Sequence, residues 1–140
     1  LRKKISNEEY SITNIQEMNV ERRNYDLEER LIDFALKVDQ IVEQLPNTRL
    51  ANHLAGQIIR SGTAPALIYG EAQSAESQRD FIHKIQLVLK ELRETRISLK
   101  ILIKKSFIIE SLSLPIMKEN EELIAIFAKS VKTAKMKLKI

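Results

Sequence analysis

Residues 26–45 read DLEERLIDFALKVDQIVEQL, and the spacing of their apolar side chains decides the fold class. Leu27, Leu31, Phe34, Ala35, Val38, Ile41, Val42 and Leu45 recur at alternating steps of three and four, which lays them along one face of an α-helix. Asp26 is placed to accept from the free N–H groups of a first turn, Glu29 reaches back as in a capping box, and Glu28 suits the positive helix end. Pro46 and Asn47 stop the run.

The pattern repeats downstream. Thr48 reads as the cap of a second helix carrying Leu50, Leu54, Ala55, Ile58 and Ile59 and reaching about Ser74. Ser61, Gly62, Thr63 and Pro65 interrupt it; Pro65 lacks an N–H and crowds the preceding turn, so a kink or a break is expected there. Ser77 followed by Asp80 caps a third helix, with Phe81, Ile85, Val88, Leu92, Leu99 and Leu102 on one face, as far as about Phe107. A loop through Glu110 to Ser113 leads to Pro115 in the first turn of a fourth helix bearing Ile116, Leu123, Phe127, Val131, Ala134 and Leu138. Short connections make sequential helices antiparallel neighbours. The prediction is an all-α, antiparallel up-down-up-down four-helix bundle over residues 25–140. Residues 1–24 mix charges with Ser and Asn without an apolar period and read as a flexible N-terminal arm; with Met18 just ahead of the first strong pattern, residues 1–17 read as an upstream extension.

Composition agrees. The 140 residues include only three Gly and three Pro, with no Cys and no Trp, which leaves little for sheets or phosphate-binding loops and excludes disulfides, thiolate metal sites and thiol nucleophiles. Lack of Cys fits a reducing compartment, and cytoplasm is the expected location. No apolar run approaches a membrane span. One domain with a core of Leu, Ile and Val is expected, and membrane partners are not.

Chemistry is sparse. Asp80 and His83 stand three apart, but a two-metal carboxylate site wants two Glu-x-x-His pairs and two more Glu, and His53 has no such partner. Asp80 therefore reads as a helix cap and His83 as a flank residue. Glu71, and Glu91 or Glu94 with Arg93 and Arg96, read as structural ion pairs. With no nucleophile elbow, no phosphate loop and no dinucleotide fingerprint, neither an enzyme nor a cofactor is expected.

The net charge of +4 hides a division between helices: residues 27–46 carry two basic and five acidic groups, residues 77–110 eight and four, and residues 111–140 six and three. At about 100° per residue, the back of helix one carries Ile32 and Leu36 among Glu29, Asp39 and Glu43. The back of helix three carries Ile97, Ile101 and Ile108 among Lys90, Arg93 and Lys104. Two apolar strips with borders of opposite charge predict a heterologous contact between copies, closing into a ring or running on as a filament; the alternative is that scattered exposed Ile and Leu mean nothing. Lys129, Lys132 and Lys135 advance by three along helix four, followed by Lys137 and Lys139, and read either as a phosphate-driven nucleic-acid contact or as a solvated lysine tail.

The segments Asn24-Tyr25-Asp26-Leu27-Glu28-Glu29-Arg30, Ile59-Arg60-Ser61-Gly62-Thr63, Tyr69-Gly70-Glu71-Ala72, Glu76-Ser77, Asp80-Phe81-Ile82-His83-Lys84 and Lys90-Glu91-Leu92-Arg93-Glu94-Thr95-Arg96, in this order, resemble the bacterial four-helix-bundle proteins of the 23S rRNA intervening-sequence family. The likeness covers residues 24–136. It implies a closed bundle, a ring-shaped homopentamer and an association with RNA or the ribosome, and it supplies no catalytic residue. A similar branch, the accessory proteins of diversity-generating retroelements, implies as alternatives a reverse transcriptase and nucleic acid as partners; a protein-partner scaffold without nucleic acid is the other. Pro65, Ala66 and Ile68 depart from the family pattern, where a small or β-branched residue, Gly and Asn are usual.

Overall fold

The structure is a computed structural model that describes residues 12–138, with side chains from Asp26 onward. It contains α1 (Ile12–Glu43), α2 (Arg49–Ala72), α3 (Gln78–Lys104) and α4 (Glu110–Leu138), and no strand among the described residues. Each helix hides one stripe: Leu31, Phe34, Val38 and Ile41 from α1; Leu54, Ile58 and Tyr69 from α2; Ile85, Val88, Leu92, Leu99 and Leu102 from α3; Ile116, Leu123 and Phe127 from α4. Burial stabilises by about 1.5–3 kcal/mol for each large side chain, so this one core holds the four rods together.

Contacts fix direction and order. Glu71 of α2 meets Lys84 of α3, whereas the earlier Arg60 meets the later Glu91 and Glu94, so α2 and α3 are antiparallel. Arg30 of α1 pairs with Glu119 of α4, while the later Ile41 lies near the earlier Leu112 and Ile116. Neighbours are α1 with α2, α2 with α3, and α3 with α4; α1 touches α4 least, and the backbones of the diagonal pairs α1–α3 and α2–α4 do not approach one another.

Caps set several boundaries. Thr48 Oγ1 accepts from Ala51 N at 3.1 Å. Ser77 Oγ accepts from Asp80 N at 3.0 Å, and Asp80 Oδ2 accepts in return from Glu76 N at 3.2 Å. α3 stops at Lys104, three residues before the expected end, because Ser106 takes a left-handed φ of 58°. Its N–H then reaches Ile103 O at 2.9 Å and that of Phe107 reaches Leu102 O at 3.0 Å, the paired bonds of a Schellman motif with Ser where Gly is usual.

Three expectations are corrected. Asp26 does not begin a helix: α1 already runs from Ile12, so the expected arm is helical over residues 12–24, a stretch with neither Gly nor Pro to break it. Helix four begins at Glu110 rather than near Pro115, with Ile109 O accepting from Leu112 N and Ser113 N. Pro65 does not break α2, which runs on through it with the ring buried.

α1 and α2 pack tightly at Gly62: a Cβ there would lie 2.8 Å from Val38 Cγ2. A polar layer crosses the middle of the core. Thr95 Oγ1 lies 2.9 Å from Ser61 Oγ, and the fully buried Asn120 donates to Leu92 O at 3.1 Å while its Oδ1 has no partner among the described residues.

Candidate assembly and nucleic-acid interface

The core stripe of α1 points Leu31, Phe34, Val38 and Ile41 inward, and the helical repeat then turns Ile32, Leu36, Asp39 and Glu43 directly outward. Leu36 is 63% exposed and Ile32 40%. Asp39 and Glu43 are exposed and Glu29 is half-buried. On α3, Ile97 is 53% exposed, with Ile101 on the same outward side and Lys90, Arg93 and Lys104 exposed around them. None of these six charged groups forms an ion pair among the described residues. Because α1 and α3 are diagonal, the acidic and basic strips face opposite sides of one rigid bundle. Ile108 leaves the strip: it lies past the end of α3 and packs half-buried against the core.

The sequence reading missed two members of the basic side. Arg79 and Lys100 are exposed on the outward side of α3, in line with the residues already named. Beside Ile97 an open groove of about 460 Å³ runs between α3 and α4, lined by Arg93, Arg96, Ile97, Glu121 and Ile124.

The lysines of α4 do not form one row. Lys129, Lys132, Lys135 and Lys137 are all exposed, but only Lys129 and Lys132 straddle the outward direction; Lys135 turns to the flank facing α3 and Lys137 to the flank facing α1. The 60° left over from each step of three residues rotates the series around the helix. Lys139 lies outside the described residues. Lys129 and Lys137 share a hollow of about 790 Å³ with Leu27 of α1 and Phe81 of α3.

Other polar candidates have structural partners. Asp80 is the capping group described above, and His83 and His53 are exposed. No group of three His, Cys, Asp or Glu could hold a metal ion among the described residues. Glu91 and Glu94 pair with Arg60 of α2, rather than with Arg93 or Arg96 of their own helix; Arg96 pairs with Glu121. Arg30 holds Glu119 bidentately, Nε donating to Oε2 at 3.1 Å and Nη2 to Oε1 at 2.5 Å, and this hydrogen bonding raises the Arg30 pKa. Burial, reinforced by Glu28, raises that of Tyr69. Ala66 and Ile68 pack against the core beside buried Pro65, so this part of α2 is apolar, with Ile68 where the family pattern has Asn. No helix is long and apolar enough to cross a membrane among the described residues.

These features define an antiparallel four-helix bundle whose distinctive surfaces are two diagonal apolar strips with opposite charge and a basic end of α4. Residues 23–129 match the family described as 23S rRNA-intervening sequence protein, and the chain belongs to it. It is similar in structure to a protein of unknown function from the S23 ribosomal protein family of Bacteroides thetaiotaomicron, with a TM-score of 0.71 and 28% identity over 78% of this chain and 97% of that one. No curated protein compared with the chain matches it significantly.

Proposed function

We propose that the chain is a cytoplasmic, non-enzymatic subunit of a ring-like homo-oligomer, a pentamer as the family resemblance implies, which associates electrostatically with RNA or the ribosome. The observation that carries this reading is the diagonal placement of the two strips. An isolated bundle gains nothing by exposing Leu36 and Ile97 on opposite sides, whereas a row of copies buries both at each junction, Ile32 and Leu36 of one against Ile97 and Ile101 of the next. Glu29, Asp39 and Glu43 then face Lys90, Arg93 and Lys104, which fixes the order of docking and disfavours two like strips meeting. Strictly opposed faces stack in a line, and closure into five needs a turn of about 72° per copy. Seating the acidic strip in the groove beside Ile97, off the axis of α3, moves the contact in that direction.

Assembly of this kind covers the cations of α3 and leaves those of α4 for RNA. Light scattering at micromolar protein is expected to give a mass several times 16.2 kDa. Leu36→Asp or Ile101→Asp is expected to reduce it to that of one chain without loss of helix. A wild-type particle of 16.2 kDa would overturn the reading.

A further inference from the structure

The larger hollow between α1 and α4 joins an apolar floor to cationic edges. Leu27, Phe81, Ile126 and Ala134 give it an apolar floor; Lys129 and Lys137 stand at its edges, and no carboxylate lines it among the described residues. It exists because α1 and α4 touch least of all neighbouring helices. We propose that this hollow receives unpaired nucleotides of a single-stranded RNA, with Phe81 offering a face to one base and Lys129 and Lys137 meeting the flanking phosphates. The inference rests on the RNA association above and gives it an address.

Three physical points favour this occupant. Along α4 the hollow runs from Ile126 to Lys137, about 16 Å at the helical rise, a span suited to a few nucleotides rather than a long groove for a partner helix. An apolar floor with cationic edges matches a ligand whose bases are flat and apolar-faced and whose backbone is anionic, which is how single strands are held without sequence readout. The charge is also unspent: neither Lys129 nor Lys137 forms an ion pair among the described residues. Lys132 and Lys135, equally exposed on the same helix, do not line the hollow and serve as internal controls.

The test is fluorescence anisotropy of a labelled oligouridylate with the full chain over a series of salt concentrations. Lys129→Gln with Lys137→Gln is expected to weaken binding about tenfold at low salt and to flatten the slope of log affinity against log salt by about 1.4, since each phosphate contact with a single strand contributes about 0.7. Phe81→Leu keeps an apolar side chain and is expected to weaken binding about fivefold or more with the slope unchanged, because stacking releases no counterions. Thr133→Met, at an exposed position of the hollow, obstructs it without touching the core and is expected to weaken binding similarly, which covers the case in which Phe81→Leu disturbs the fold. Lys132→Gln with Lys135→Gln is expected to change affinity less than twofold.

Equal losses from the two lysine pairs, with no effect of Thr133→Met, would overturn the hollow as the site while leaving RNA association intact. So would equally tight binding of a duplex of the same length, whose stacked bases cannot enter, or equal competition by polyglutamate. Absence of any binding by the wild type would overturn both this inference and the RNA association beneath it.

Discussion

The seam between α2 and α3 and the seam between α1 and α4 are built differently. Across the first, Arg60 holds Glu91 and Glu94, Ser61 meets Thr95, and Glu71 meets Lys84, so polar contacts mark the register over the second half of α2. Across the second, Arg30 with Glu119 and Glu122 supplies the ion pairs, and two hollows open beside them, of about 90 and 790 Å³. Surface pairs contribute at most about 1 kcal/mol each. The contrast therefore lies in packing and register more than in electrostatic energy: one seam specifies the bundle, and the other leaves room at its surface for something else.

That contrast can be broken at its strong side first. Leu92→Ala empties a fully buried position on α3 and is expected to cost about 3–5 kcal/mol. Ile126→Ala, on the floor of the larger hollow and only half-buried, is expected to cost less than half as much. Chemical denaturation of the two variants checks the difference, and equal costs would mean that the α1–α4 seam is as tightly packed as the core. Next is Gly62→Ala. The added Cβ meets stiff, fully buried Val38, so a net loss of about 1–3 kcal/mol is expected in spite of the better helix propensity of Ala. Val38→Ala introduced with it should cost less than the two single changes added together, because the clash disappears.

Tyr69 gives a pH handle on the packed side, where its ring meets that of Phe127 edge-on with centroids 5.7 Å apart. Its pKa is raised above the ordinary value of 10.0 by burial. The folded state therefore holds the phenolic proton more tightly than the unfolded chain. Its contribution is intact below pH 10 and is lost as pH rises through the folded value. Thermal melts should show an alkaline loss of stability that Tyr69→Phe reduces. The smallest effect is a gain: Ser106→Gly relieves the left-handed backbone after α3 and should stabilise by about 0.5–1 kcal/mol, read as a small rise in melting temperature.

Much of this architecture was legible in the sequence because it depends on local spacing. The apolar period around Leu31, Phe34, Val38 and Ile41 gave the buried face of α1, and Thr48 and Ser77 gave two helix starts, since a side chain satisfying an N–H three residues away leaves its mark in adjacent residues. The same kind of signal misled at Asp26, because an acidic capping pattern also fits inside a continuing helix. The early end of α3 was hidden for a converse reason: Ser106 does the work of a glycine.

The surfaces divide in the same way. Exposure of Ile32, Leu36, Ile97 and Ile101 followed from rotation about single helices. Arg60 as the partner of Glu91 and Glu94, and the hollow joining Leu27, Phe81 and Lys137, did not, because they depend on how separate helices cross and splay. The α4 lysines do not share one row, because a step of three residues is not a full turn. It falls 60° short.

The head-to-tail contact is tested most directly by mixing two single-strip variants and weighing the product by light scattering. Leu36→Asp keeps a sound α3 strip and Ile101→Asp keeps a sound α1 strip, so each alone should remain one chain of 16.2 kDa, and an equimolar mixture should form a dimer of twice that mass and grow no further. A mixture that stays at one chain mass, or variants that each still assemble as the wild type does, would contradict the account.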